Sequence, residues 1–318
     1  MLFQNAKHPI ELKITHLNKV KNNRKQQLML EMGDKKGVKA FIKQTLKDKA
    51  KALKSKNKQH HVFVLDFYGD IKASHVQQLR EEISTILTTA ETGDEVVVRL
   101  ESGGGMVHAY GLAAAQLARI KDAGLTLTVC VDKIAASGGY MMACVADKIL
   151  SAPFAVVGSI GVVAQVPNFH DLLEKHDVDV NVFTAGKYKR TVTVFGKNTE
   201  EDKAKFQQEL EETHTLFQDF VTKYRPQLEL DKVATGEHWY GEDAIKLKLV
   251  DKLETSDSYI MAKMQDNEVF AIHSRQKPTL AEKLGFAQTA QALVGTVVEK
   301  LPEALLKIEN SKLPMFKK

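Results

Sequence analysis

A chain of 318 residues with 43% apolar content can bury a sizeable core, and its two cysteines are too few for a disulfide framework, so a disordered tail and a small stapled module are both excluded. Charge is unevenly distributed: residues 1–60 carry 16 Lys/Arg against four Asp/Glu, a net of +12, and the overall +5 therefore leaves −7 on the remainder. No stretch reaches the roughly 18 consecutive apolar residues of a membrane span and there is no secretory apolar segment at the N-terminus, so the chain is expected to be soluble.

Residues 1–59 are rich in Lys, Gln and Asn, and the lysine run from Lys35 to Lys58 predicts a solvated helix or a disordered arm. Such an arm suits an anionic membrane surface. With only Phe3 and Phe41 available to stack on bases, it is not expected to bind nucleic acid specifically. The globular part begins at His60 or His61, so the expected division is an arm over 1–59, a folded unit over 60–255 and a C-terminal helical extension over 256–318.

Within that unit Val62 to Leu65 reads as a buried strand, His75 to Leu87 as an amphipathic helix and Glu95 to Leu100 as the next strand. The strand ends in Glu101-Ser102-Gly103-Gly104-Gly105, and helix resumes from Met106 to Ile120. Leu125 to Val131 repeats the strand, Ala135-Ala136-Ser137-Gly138-Gly139-Tyr140 repeats the glycine turn, and Tyr140, Met141, Cys144 and Val145 recur at helical spacing. Strand, glycine turn and helix in alternation predict an α/β fold with mostly parallel pairing. Cys130 and Cys144, in apolar runs, read as buried thiols. Further on, Lys148 to Leu150 and Val178 to Phe183 are expected strands and Phe169 to Lys175 a helix. Glu200 to Tyr224 is a long helix stopped by Pro226. His238 to Gly241, a short helix over Ala244 to Leu249 and an exit strand over Leu249 to Asp251 follow. Val269 to Ile272 is a strand, and Leu280 to Leu306 reads as one or two helices divided near Pro302.

Ser137 stands on a sharp strand-to-helix turn among residues too small to shield it, where a nucleophile belongs; a small residue capping a buried helix is the structural alternative. The helix N-terminus leaves the Gly138 amide free to stabilise an oxyanion, and Gly104 or Gly105 would aim a second amide at the same point, because loops at the C-terminal ends of adjacent parallel strands converge. A phosphate loop is excluded, since His108 breaks the G-x-G-x-x-G spacing. A serine hydroxyl needs a base. His108, one turn into its helix, is one candidate. Ser-x-x-Lys occurs at Ser55/Lys58 and Ser274/Lys277, in basic loop-like surroundings where chance explains it. Lys189 in Gly186-Lys187-Tyr188-Lys189-Arg190 is the other candidate, and the residues alone leave the choice open.

Three ordered blocks bear on that choice: Ala136-Ser137-Gly138-Gly139-Tyr140, Gly158-Ser159-Ile160-Gly161-Val162 and Gly186-Lys187-Tyr188-Lys189-Arg190. Together with Thr235-Gly236-Glu237-His238-Trp239-Tyr240 they resemble the signature blocks of the signal peptide peptidase A family of serine-lysine proteases, over about Val62 to Glu254. The resemblance implies a fold similar to the Clp protease and crotonase superfamily, a superhelix of repeated strand-strand-helix units. It also implies Ser137 as nucleophile, Lys189 as general base 52 positions later, and Ser159 as the serine that orients the lysine amine. No metal or cofactor is implied. Substrates would be peptides or unfolded proteins, the assembly a homo-oligomeric ring, and the location the bacterial inner membrane with a periplasmic catalytic domain. The histidine that a Clp-type protease would place near Val162 is absent, and one departure from the family stands out: Gly103 occupies the position where the family has proline. The rival readings are a crotonase-type acyl-CoA enzyme and a membrane-associated scaffold with a decayed site.

A neutral lysine is required for this chemistry. A solvated lysine titrates near 10.4, and holding it neutral at pH 7 costs roughly 4 kcal/mol at about 1.36 per unit, so Lys189 is expected to be buried, with Tyr188 as cover and Arg190 adding repulsion.

Overall fold

The computed structural model describes residues 10–54 and 60–276, and in it the runs that read as buried strands lie side by side. Strand β1 (Ile10–His16) leads into α1 (Leu17–Glu31) and α2 (Lys35–Lys54), after which β2 (His61–Gly69), α3 (Val76–Leu87), β3 (Glu95–Ser102), α4 (Val107–Asp122) and β4 (Thr126–Val131) set up the alternation. The turn region adds β5 (Ile134–Ala136), α5 (Gly138–Ala143), β6 (Lys148–Ser151) and β7 (Val156–Gly158). Then come α6 (His170–Glu174), α7 (Glu200–Tyr224), α8 (Leu230–Val233), β8 (His238–Tyr240), α9 (Gly241–Ala244), β9 (Lys252–Leu253), α10 (Ser256–Asp266) and β10 (Glu268–Gln276).

The main sheet runs β1-β10-β2-β3-β4-β6-β9. From β10 to β9 the neighbours pair in parallel, Val62 opposite Glu95, Glu95 opposite Thr126 and Thr128 opposite Lys148. Parallel strands are covered on both faces, which is why Val62 to Leu65 and Val96 to Val98 are continuous apolar runs with no polar alternation. One face packs Leu65, Phe67, Val98 and Val129 against α3, α4, α5 and α7; the other packs Val64, Val97, Cys130 and Leu150 against Tyr259 and Ile260 of α10. Glu95, buried on that second face, is satisfied by Thr128 Oγ1 and Tyr259 Oη, each at 2.6 Å, and by Lys263 Nζ at 2.5 Å.

At its end β3 does something β2 does not: Ser102 pairs with Ala135 of β5 rather than with β4. β5 pairs in turn with β7, and β7 with β8 in antiparallel sense. A small second layer of three-residue strands thus branches from the sheet where β3 ends.

Several expectations change. Residues 12–273 form one compact unit, so the boundaries expected at 59/60 and 255/256 both fall inside it. The described part of the basic N-terminal segment, residues 10–54, is not separate from the sheet: β1 is part of it, and Asn18 of α1 bonds the Met264 and Asn267 carbonyls and the Val269 amide. The Val178 to Phe183 strand does not form. It has no ladder partner, and Val178, Val182 and Phe183 are 48%, 50% and 93% exposed. The helices expected over Leu280 to Leu306 lie outside the described residues. Both cysteines are free and buried, and burial raises both thiols. No helix among the described residues is long and apolar enough to cross a membrane.

Candidate active site

Ser137 occupies the single residue between β5 and α5. Its backbone is at φ 53°, a left-handed conformation that a non-glycine residue adopts only when its surroundings enforce it. Enforcement is visible on both sides: the Ser137 amide donates to the Gly158 carbonyl at 2.8 Å, and its carbonyl accepts from Met141 at 2.9 Å. The glycines after it are there for space. A Cβ on Gly138 would stand 2.4 Å from the Tyr110 ring, and one on Gly139 would stand 2.4 Å from the Ser102 carbonyl oxygen. Because Gly138 and Gly139 head α5, their amides have no acceptor within the helix. The hydroxyl of Ser137, half-buried, makes no hydrogen bond among the described residues.

The other glycine turn does converge on this point. Gly104, at φ 91°, would drive a Cβ to 2.7 Å from the Gly138 nitrogen and 2.8 Å from Ser137 Cβ. Its own amide donates to Ser102 Oγ at 3.1 Å, the start of a relay in which Ser102 Oγ bonds Tyr110 Oη and Tyr110 Oη donates to the Asp70 carbonyl at 2.7 Å. Gly105 closely approaches Ile71, whose carbonyl oxygen would lie 2.2 Å from an added Cβ. Gly103 is different: a side chain there would meet only Ile134, at an ordinary 3.8 Å. This position therefore has room for a Cβ.

A cleft of about 490 Å³ opens over Ser137. Gly103 and Ser137 form one end, Ser159, Gly161 to Val163 and Thr235-Gly236 one wall, and Gln207, Leu210, Glu211 and His214 of α7 the other. Ser159, at φ 50°, donates through its amide to the Glu237 carbonyl at 2.6 Å and through Oγ to the Gly236 carbonyl at 3.3 Å. The Ile160 carbonyl accepts from Gly236 at 3.1 Å and from His214 Nε2 at 3.2 Å, which ties α7 to this loop. The sequence alone does not single out His214 and its α7 neighbours. Their i, i+3, i+4, i+7 spacing was readable, but on a charged amphipathic helix it reads equally well as a solvated face.

Lys189 is not in this cleft. It is exposed, in a segment over 162–198 where Gly196 is the sole buried residue. Tyr188 covers other amines instead, with Lys187 and Lys205 lying 5.0 and 5.3 Å from its ring centroid, and Lys187 pairs with Glu201 at 3.1 Å. The burial expected for Lys189 is therefore absent within this chain, because the segment that carries it forms no strand and buries almost none of its side chains. His108, the other candidate base, is exposed and does not line the cleft.

The chain matches the model of peptidase family S49 over residues 119–270 and that of the family's N-terminal region over 2–117. It is 51% identical over 253 residues to the "Probable protease SohB" of Buchnera aphidicola subsp. Acyrthosiphon pisum, covering 80% of this chain and 73% of that protein. The chain belongs to peptidase family S49. A protein of the same description from Haemophilus influenzae is 62% identical over 242 residues, 76% of this chain and 66% of its own length, and a second Buchnera relative is also matched over 66% of its length. The S49 chain thus spans about two thirds of those relatives. Among solved structures, a membrane-bound stomatin-specific protease in complex with a substrate peptide is similar at 14% identity and a TM-score of 0.39, over 72% of this chain and 97% of that one.

Proposed function

We propose that this S49 chain is a serine endopeptidase with a Ser137–Lys189 dyad. Ser137 Oγ attacks the peptide carbonyl carbon as neutral Lys189 takes the hydroxyl proton; the amide of Gly138, with that of Gly104 or Gly105, receives the oxyanion. Lys189 then gives the proton to the leaving amine as the C–N bond breaks, and water, deprotonated by the same amine, hydrolyses the acyl ester. A part for Gly104 requires its amide to exchange Ser102 Oγ for the oxyanion. Ser159 is assigned to orienting the lysine amine. The observation that carries the reading is the left-handed backbone of Ser137, held at the head of a glycine-opened helix on the floor of an open cleft.

The dyad needs the 162–198 segment to bring its lysine over the cleft, by folding back or from a neighbouring copy. Val163, Phe183 and Phe195, exposed at 91%, 93% and 53%, support assembly into a homo-oligomeric ring that covers them. The β4–β5–α5 unit, followed by β6 and β7, supports a Clp and crotonase-like superhelix of strand-strand-helix units. Ile42 and Leu46, flanked by Lys39, Lys43 and Lys47 on α2, support contact with an anionic bilayer, read as the bacterial inner membrane with the catalytic part periplasmic. Exposure of Lys189 favours one rival, a catalytically silent scaffold.

The test is cleavage of an unfolded protein by the purified full chain. Ser137→Ala and Lys189→Ala should each lower the rate by at least about a thousandfold, as removal of an essential dyad member does. The wild-type rate should climb towards alkaline pH, because only an uncharged amine accepts the proton. Full activity in Lys189→Ala removes lysine from the mechanism; an inert wild type with retained partner binding supports the scaffold.

A further inference from the structure

We infer that Glu211 makes the cleft select peptides carrying a lysine or arginine beside the scissile bond. This rests on the peptidase reading of Ser137 and adds a substrate class to it. Of the residues lining the cleft, Glu211 is the one carboxylate, and neither Lys nor Arg lines it among the described residues. It faces the cleft from α7 together with Gln207, Leu210 and His214, positions that share one helix face. Gln207 Nε2 donates to Glu211 Oε1 at 2.9 Å, which orients the carboxylate and leaves its second oxygen to accept from a ligand. His214 Nε2 is committed to the Ile160 carbonyl. A peptide laid between Ser137 and α7 runs beside this negative charge, which no basic side chain of the cleft lining offsets; Glu211 is exposed, so its attraction for a cation is that of a solvent-accessible pair and is screened by salt. The opposite wall offers mainly backbone and small or apolar side chains, Ser159, Gly161 to Val163 and Thr235-Gly236, with no charge to offset it.

The experiment compares peptides identical except at one position near the cleaved bond, bearing Arg, Leu or Glu in turn. For the wild-type full chain kcat/KM should fall from Arg to Glu by roughly tenfold at low salt, the scale on which an exposed attraction is replaced by a repulsion of similar size, and the ratio should shrink as salt is added. Glu211→Gln should bring the ratio close to one, and Glu211→Lys should invert it. An Arg-to-Glu ratio unmoved by Glu211→Gln overturns the inference. So does an equal rate loss on all three peptides, which would make Glu211 a partner of the catalytic amine instead of a selector. Fluorescence anisotropy of the same peptides with the Ser137→Ala protein repeats the comparison without turnover. A charge preference in binding with no cleavage by wild type would therefore sink the peptidase reading and keep the selectivity, while cleavage without charge preference would do the reverse.

Discussion

Ser137 pays in backbone strain for a conformation that its hydrogen bonds to Gly158 and Met141 hold in place, and the neighbouring glycines exist because Tyr110 and the Ser102 carbonyl leave no room for a Cβ. The same tight interior governs its two thiols. Burial pushes Cys130 and Cys144 upward, and Tyr140 with them. These groups keep their protons in the folded state, whereas in the unfolded chain the thiols ionise near 8.5 and the phenol near 10. The stability they contribute is complete below those values and is lost as pH rises beyond them. The urea midpoint should therefore drop between pH 8 and pH 10.5, and neither thiol should react with a disulfide reagent at pH 8 until the chain is unfolded; rapid native labelling would contradict their burial. Hence the alkaline rise in cleavage rate is best measured below about pH 9, before unfolding competes with it.

Among the elements, α7 does two things: it forms one wall of the cleft, and it is anchored at both ends. Thr199 and Asp202 close its start as a capping box, and at its end Arg225 bonds Asp251 through Nη1 and Nη2 at 2.9 and 2.8 Å and the Lys248 carbonyl at 2.9 Å. Asp251 also accepts from the Ile149 amide of β6 at 2.7 Å. Arg225 is almost fully buried while Asp251 is a third exposed. Arg225→Ala should consequently destabilise the protein by about 3 kcal/mol, the lower end of the range for a broken buried pair, as read from urea unfolding; a change below 0.5 would show that the anchor is dispensable. Glu200–Tyr224 was legible to the residue, because Pro226 and the acidic first turn mark its ends. Val178 to Phe183 misled for the converse reason: a run of strand-like composition says nothing of whether a ladder partner is available. β5 and β8, three residues each, are too short for any periodicity. Ser137 was readable from its small neighbours and the apolar strand before it. The α7 face over it was not, since only folding shows which side of a charged helix meets the cleft.

On the scale of the whole molecule, the sheet is well covered and the 162–198 segment is not. If neighbouring copies cover it, the mass in solution should be a multiple of 35.5 kDa, and Phe183→Asp should reduce both the mass and the cleavage rate while leaving the melting temperature of the sheet unchanged. Sedimentation velocity reads the first and cleavage of an unfolded protein the second; a monomeric wild type with full activity would exclude the ring. The layering of the sheet was foreseeable from alternating apolar runs and glycine turns. Its outer edge was not, because the basic composition of residues 10–31 hides the one strand among them that joins the sheet.

That edge has a consequence for biosynthesis. β10 inserts between β1 and β2, and Asn18, His16 and Glu268 link the N-terminal elements to it. Among the described strands β1 is translated before the others, yet its partner β10 is the last of them, more than 250 residues later. During translation the lysine-rich hairpin of α1 and α2 is therefore untethered from the sheet, free to meet a nascent neighbour or an anionic surface before its own body is complete.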